Sequence, residues 1–158
     1  MIKKFIYIIS FCFFSQLALA AEGDSSSDSD DYLDKYKTAK QLIKRAKKME
    51  SKGKNEKAFK LYNSAYKELL EANKIESRNP DILNYLGFTL RKAGKFEKAE
   101  KYYLKGLEIK PDHNGINEYL GELYIQTNRM DKAKERLSVL KDCKCKEYDE
   151  LKELIDKS

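Results

Sequence analysis

Residues 80–111 decide the fold, and they read PDILNYLGFTLRKAGKFEKAEKYYLKGLEIKP. Several small residues and a neighbouring leucine of this stretch recur 34 positions later in the chain: Leu86 and Gly87 as Leu120 and Gly121, and Ala99 as Ala133. A fixed period of this size is typical of stacked repeats, in which each unit is a helical hairpin too small to bury its own apolar face. The stretch therefore predicts a series of helical hairpins that pack against one another.

The order of residues inside the stretch resembles the tetratricopeptide repeat (TPR). The shared features are a Leu-Gly pair, a small residue twelve positions after the glycine, an aromatic residue four positions further on and a closing proline: Leu86, Gly87, Ala99, Tyr103 and Pro111. The resemblance implies an all-α fold, an α-solenoid of three TPR-like helical hairpins plus a C-terminal capping helix. We expect Gly87 to permit a close crossing of two helices, since a mid-helix glycine otherwise costs about 1 kcal/mol.

A first repeat is expected at 32–79. Residues 54–58 read KNEKA and residues 95–99 read KFEKA, which is an offset of 41 residues rather than 34. The seven additional residues correspond to about two helical turns. We therefore expect the second helix of this repeat to extend to about Ser77.

The repeat at 80–113 is followed by a third repeat at 114–142, so the repeat region spans 32–142. Residues 143–158 are expected to form a Cys-x-Cys turn and a capping helix. That helix carries a single apolar stripe behind a charged face: Tyr148, Leu151, Leu154 and Ile155. A solenoid needs such a helix to cover its last open face.

Residues 1–20 have the organisation of a secretory signal peptide. Two lysines precede an almost continuous apolar run at 5–19, and Ala18 and Ala20 have the spacing of a cleavage site. The run is shorter than the roughly 20 residues that a spanning helix needs. We therefore expect cleavage after Ala20, no stable membrane anchor and export through the secretory pathway, to the periplasm if the source is a Gram-negative bacterium.

Residues 21–31 are expected to form a flexible acidic and serine-rich leader, because residues 22–31 carry five negative charges and no apolar side chain. Charge then reverses: residues 32–80 contain 14 Lys and Arg against 6 Asp and Glu, whereas residues 81–158 contain 16 against 15. Two interpretations of the leader stay open. It is either a solvated spacer or a segment that folds back over the basic first repeat.

The resemblance also implies a binding surface, because the first helices of successive TPR hairpins line a concave groove that holds segments of other proteins. Carried over by register, the groove positions are three in each repeat: Lys40, Ile43 and Lys47, then Asn84, Phe88 and Arg91, then Glu118, Glu122 and Ile125. These residues do not fit the apolar stripes of their helices, so we expect them to be exposed. Phe88 is the expected recognition residue, and the alternative is a partly covered core residue.

The expected partner is a protein or peptide segment. The groove drawn in this way runs from basic to acidic, so it favours a segment that is dipolar or has an acidic end. Some family members bind a chain-terminal carboxylate with a Lys and Asn clamp. The clamp positions are occupied here by other residues, namely Ile43, Tyr85, Gly115 and Tyr119, so we do not predict that activity.

Cys143 and Cys145 are the two cysteines that remain after signal cleavage. The tail that contains them is similar to that of small exported bacterial TPR proteins. Export favours oxidation, but a bond across one residue is strained, so four outcomes stay open: a local disulfide, free thiols, a redox-active pair and a shared metal site. His113 is the only histidine, whereas a structural zinc site needs four ligands. We predict no metal and no other cofactor.

The favoured hypothesis is an exported, non-enzymatic adaptor that holds a segment of a partner protein in the concave groove. No second histidine, glycine-rich phosphate loop or aromatic-basic motif supports catalysis, a small-molecule substrate or nucleic-acid binding. Two alternatives stay open. One is a thiol-redox protein that uses Cys143 and Cys145 with the repeats as a client-binding platform, and the other is a self-associating structural protein.

Overall fold

A computed structural model of the chain describes residues 25–158, so the expected signal peptide at 1–20 and residues 21–24 lie outside the described residues. The described part consists of seven α-helices without a strand. In chain order they are α1 (Ser25–Glu50), α2 (Asn55–Ile75), α3 (Pro80–Lys92), α4 (Phe96–Ile109), α5 (Asn114–Gln126), α6 (Met130–Leu140) and α7 (Lys146–Asp156). No helix in residues 25–158 combines the length and the apolar character that crossing a membrane requires.

The helices pair in chain order. α1 packs against α2, α3 against α4 and α5 against α6, and successive pairs meet through α2 with α3 and α4 with α5. α7 packs against both α5 and α6, so it covers the end of the stack. The predicted all-α fold of three hairpins and a final helix is confirmed.

The first hairpin has the predicted additional length. α2 contains 21 residues and α4 contains 14, a difference of seven. α2 ends at Ile75, two residues before the expected end at Ser77. Turns between paired helices place Gly53, Gly94 and Asn128 at φ values of 68°, 71° and 57°, the left-handed backbone that glycine and asparagine tolerate best.

The first helix begins earlier than the composition suggested. α1 starts at Ser25, so residues 25–31 of the expected flexible leader are helical. Asp31 lies 3.5 Å from Lys35 one turn later, and such pairs stabilise an exposed helix slightly.

Side chains cap α3 and α5, the helices that begin the second and third hairpins. The Asn79 amide oxygen accepts hydrogen bonds from the backbone N–H groups of Asp81 and Ile82. Pro80 occupies the first position of α3, where its missing N–H has no helical partner to lose. His113 caps α5 by accepting from the Ile116 N–H through Nδ1 at 3.2 Å. An imidazole is a less common cap than the carboxylate of Asp112 or the amide of Asn114 beside it would be.

Glycines permit the closest helix crossings. A Cβ at Gly87 would stand 2.5 Å from the ring of Tyr103 on α4, which confirms the expected packing within the second hairpin. A Cβ at Gly121 would stand 2.5 Å from Leu151 on α7. The two glycines thus occupy equivalent register positions but meet different helices, because α7 docks directly on the face of α5 that Gly121 leaves open.

Candidate functional site

One face of the stack, the inner face, is formed by α1, α3, α5 and α7 and carries two adjoining clefts. The first cleft has a volume of about 690 Å³ and lies where α3, α5 and α7 begin; its lining includes Asp81, Asn84, Tyr85, Gly115, Glu118 and Glu147. The second cleft has a volume of about 430 Å³ and its lining includes Lys47, Phe88, Arg91, Lys92, Glu122 and Glu150. Glu118, Tyr119 and Lys146 line both clefts, so the two are continuous.

The nine groove residues inferred from register differ in exposure. Lys40 and Lys47 are exposed, and Glu122 and Ile125 are partly exposed. Five of the nine are buried, with at most 5% of their surface exposed: Ile43, Asn84, Phe88, Arg91 and Glu118. The expectation that all nine are exposed is therefore wrong, although most of them do line the clefts. Their role in binding a partner stays a prediction.

Phe88 shows why the repeat register alone did not predict exposure. Its ring is 2% exposed because Tyr62 from α2 lies 5.7 Å away and Tyr119 from α5 lies 4.9 Å away, measured between ring centroids. Such tilted aromatic contacts stabilise a packed core. Phe88 therefore belongs to the core beneath the second cleft and is not an exposed recognition residue.

Lys47 lies above this aromatic group. Its Nζ is 4.8 Å from the centroid of Phe88 and 5.5 Å from that of Tyr119, within the range of cation–π attraction. Nζ also donates a hydrogen bond to the Tyr119 hydroxyl at 3.2 Å. Although the side chain as a whole is exposed, partial burial of the amine lowers the pKa of Lys47, and the nearby Glu118 and Glu122 carboxylates oppose that shift. The amine closes one side of the second cleft.

Arg91 is paired inside the stack. Its Nη1 lies 2.8 Å from Glu122 Oε2, and the two side chains are 3% and 19% exposed. Burial of a charge is tolerated when the charge is paired in this way. Arg91 therefore supports the floor of the second cleft and has little freedom to meet a ligand.

Glu118 has the most altered acidity of the cleft residues. Burial raises its pKa to about 9, helped by hydrogen bonding with Glu150 and by the negative charge of Glu122. At neutral pH this carboxyl therefore keeps its proton. Its position on α5 places it at the junction of the two clefts.

The contribution of α7 to the inner face was not anticipated from the sequence. Lys146, Glu147 and Glu150 line the clefts, and Lys146 lies 3.7 Å from Glu150. α7 occupies the position that the first helix of a fourth hairpin would take, so it contributes to the same face as α1, α3 and α5. The predicted capping helix could have indicated this contribution, because each unit of a stack repeats the geometry of the preceding one.

The cysteines lie at the edge of the first cleft. The sulfur atoms of Cys143 and Cys145 are at bonding distance, and their Cα atoms are 5.2 Å apart. Lys144 between them has a φ of 49°, and Cys145 is the residue that precedes the first turn of α7. Cys143 lines the first cleft. No group of three or more His, Cys, Asp or Glu side chains in the described part of the chain is arranged to hold a metal ion.

Sequence comparison identifies the repeat directly. Residues 80–113 match the tetratricopeptide repeat family. The human protein O-mannosyl-transferase TMTC3 is 30% identical over 80 residues, which cover 51% of this chain and 9% of that protein. The mouse TMTC3 is 32% identical over 72 residues, 46% of this chain and 8% of that protein. The chain therefore matches less than a tenth of the length of these relatives.

Solved structures share the fold at low sequence identity. The type III secretion translocator chaperone SycD of Yersinia enterocolitica has a TM-score of 0.57 at 15% identity, over 77% of this chain and 90% of that chain. SycD in complex with a peptide of the translocator YopD has a TM-score of 0.54 at 18% identity, over 77% and 88%. The TPR domain of Arabidopsis OM64 has a TM-score of 0.50 at 14% identity, over 78% and 98%. The described chain is thus a TPR-like helical repeat.

Proposed function

We propose that this TPR-like helical repeat is an exported adaptor. It binds a segment of a partner protein along the inner face. The single observation that carries the proposal is the pair of continuous clefts on that face. SycD has this fold and has been solved with a peptide of YopD, which supports peptide binding as a use of such a stack. Export rests on the sequence of residues 1–20.

The charges of the clefts indicate the kind of segment. At the end of the inner face formed by α1, Lys40 and Lys47 are exposed cations. At the other end, α7 contributes Glu147 and Glu150. A segment with an acidic end near α1 and a basic end near α7 complements this arrangement.

A photocrosslinking experiment tests the site. A photoreactive phenylalanine analogue at Tyr85, which lines the first cleft, should crosslink a partner protein in the native envelope. The same analogue at Leu104, an exposed residue of α4, serves as the matched control because no residue of α4 lines either cleft. Equal crosslinking from both positions, or from Leu104 alone, would rule out the inner face as the binding surface.

Peptides of defined charge order test the recognition. A labelled peptide with an acidic block followed by a basic block should bind more tightly than a peptide of the same composition with alternating charges. Lys47→Glu should weaken binding of the block peptide about tenfold, as expected for loss and reversal of one ion pair in a partly desolvated site. Lys67→Glu on exposed α2 is the control and should leave the affinity unchanged.

The thiol-redox alternative has one observation in its favour, which is that Cys143 lines the first cleft. A client thiolate held there would attack one sulfur of an oxidised pair, and the other sulfur would leave as a thiolate. The position of Cys145 at the start of α7 would stabilise that thiolate. Replacing both cysteines with serine separates the functions, because an adaptor keeps its partners whereas a redox protein forms no mixed disulfide with them.

A further inference from the structure

The floor of the first cleft contains a carboxyl group without a cationic partner. Glu118 is 5% exposed, and none of the ion pairs of the described side chains includes it. Burial and the neighbouring Glu150, Glu122 and Glu147 raise its pKa to about 9. A buried carboxyl in negative surroundings gains most from a positive charge brought within contact.

A second polar group at this floor, the amide of Asn84, has an oxygen without a hydrogen-bond donor in residues 25–158. Asn84 on α3 is 5% exposed and lines the same cleft as Glu118. Its Oδ1 is buried without a hydrogen-bond donor among the described residues, and leaving such an acceptor unpaired costs about 1–3 kcal/mol. Gly115 makes room for this amide, because a Cβ at Gly115 would stand 2.8 Å from Asn84 Nδ2.

The amide oxygen of Asn84 accepts from any N–H donor, and the carboxyl of Glu118 pairs best with a donor that also carries positive charge once it has released its proton. An anion would meet the carboxylates of Asp81 and Glu147, which line the same cleft. A divalent ion such as Ca²⁺ takes six to eight oxygen ligands, and the described side chains contain no such group. A lysine ammonium or an arginine guanidinium supplies several N–H donors and one charge, which matches what the cleft lacks.

We propose that Glu118 and Asn84 form a subsite for a lysine or arginine side chain of the bound segment. The side chain enters the first cleft from the inner face, donates one hydrogen bond to Asn84 Oδ1 and pairs with the carboxylate of Glu118, which releases its proton on binding. The inference rests on the proposed function, since it assigns the basic end of the segment to a particular place. It accounts for the amide oxygen of Asn84 that has no donor and for the buried carboxyl of Glu118 that no cation contacts, both within the described part of the chain.

Protons and the ligand cation compete at Glu118, so affinity should depend on pH. The groups that face Glu118 are on every helix of the inner face: Lys47 on α1, Tyr85 and Arg91 on α3, Tyr119 and Glu122 on α5, and Lys146, Glu147 and Glu150 on α7. The carboxyl loses its proton as pH approaches 9. Binding of a cationic side chain should therefore strengthen from pH 6 to pH 9, and the slope should vanish in Glu118→Gln.

The probe for the subsite is Nα-acetyl-arginine methylamide, compared with the neutral citrulline analogue of the same shape. Titration of the mature protein followed by NMR should shift the amide signals of Gly115 and Asn84 with the arginine probe. The citrulline probe should bind at least about tenfold more weakly, because a charged hydrogen bond contributes about 1.5–3 kcal/mol. Equal shifts with both probes, or shifts confined to other residues, would overturn the subsite.

Glu118→Gln keeps the shape of the side chain and mimics its protonated form, so the fold should persist. This variant should lose the arginine preference, whereas Glu97→Gln, at an exposed acid of α4, should retain it. A preference for the arginine probe that is retained in Glu118→Gln counts against the subsite.

The two proposals can fail separately. If the arginine probe binds while block peptides do not, the subsite holds and the proposed function fails. If block peptides bind equally with arginine or citrulline at the basic end, the proposed function holds and the subsite fails.

Discussion

Gly87 on α3 lies directly against the ring of Tyr103 on α4: a Cβ at Gly87 would stand 2.5 Å from Tyr103 Cε1 and 2.7 Å from Cδ1. Tyr103 is fully buried, so the ring has little room to move away. The absence of one side chain thus sets how closely the second hairpin closes. This relationship has a direct consequence for stability.

Gly87→Ala should destabilise the protein by up to about 2 kcal/mol, because overpacking a buried contact costs about 1–3 kcal/mol against a gain of about 1 kcal/mol in helix propensity. The loss should disappear when Tyr103 is replaced by leucine in the same chain. Gly94→Ala is the control, since its Cβ would meet no atom within 4 Å. It should cost about 1 kcal/mol for its left-handed backbone, with or without Tyr103. Urea unfolding measures these differences for Gly87→Ala and Gly94→Ala, each made in the natural chain and in the Tyr103→Leu chain and compared with that chain. A loss of stability from Gly87→Ala that persists in the Tyr103→Leu chain would contradict the contact.

Leu151 should hold α7 on the stack. It is fully buried and fills the space above Gly121, so Leu151→Ala should remove about 2–5 kcal/mol of packing free energy. Because α7 is held on the stack through α5 and α6, the loss should appear as faster amide hydrogen exchange in residues 146–156. Leu154→Ala, at a residue that is 40% exposed, should change exchange little. Equal exchange in both variants would show that α7 does not depend on this contact.

The ion pair of Arg91 with Glu122 should contribute more to stability than the neighbouring pair of Lys92 with Glu50. Arg91→Ala leaves Glu122 without a partner in a largely buried place, which costs about 3 kcal/mol or more. Lys92 and Glu50 are 25% and 41% exposed, so Lys92→Ala should cost less than about 1 kcal/mol. Thermal or urea unfolding at moderate salt compares the two. Similar losses would mean that Arg91 is better solvated than its contacts indicate.

Glu118 should make stability depend on pH. Its pKa in the folded protein is about 9 and its ordinary value is 4.5, so the folded chain holds a proton that the unfolded chain releases. The associated stability is fully present below pH 4.5 and is lost as pH rises through 9.

Relative to Glu118→Gln, the natural protein should therefore lose stability steadily from pH 5 to pH 9. Denaturant midpoints of both proteins across this range measure the effect. The exposed Glu97→Gln variant should follow the natural protein at every pH. Parallel curves for the natural protein and Glu118→Gln would mean that Glu118 ionises normally.

The repeat pattern specified most of the architecture. The offset of 34 residues predicted the hairpins, and the larger offset of 41 residues predicted the seven additional residues of α2. These features follow from local spacing, because apolar and small residues must meet at fixed intervals along a helix. The early start of α1 at Ser25 was missed, since composition alone does not register pairs one turn apart, such as Asp31 with Lys35, that support an exposed helix.

The inner face was predicted less well. Most of the nine positions chosen by register line the clefts, but register placed Phe88 and Arg91 at the surface although both are buried. Their burial depends on Tyr119 and Glu122, which belong to the next hairpin. The role of α7 in the same face was missed for a similar reason, because a helix that covers an end also lines the groove.

The sequence by itself determined the number of hairpins, their order and the glycines at which helices meet, because these depend on intervals along the chain. The tertiary structure alone decided that Gly121 meets α7, that Phe88 lies beneath Lys47 and Tyr119, and that Glu118 keeps its proton. The physical reason is that burial and charge are sums over neighbours distant in sequence. A repeat period fixes the direction of each side chain, whereas the side chains of other helices decide how much water and charge it meets.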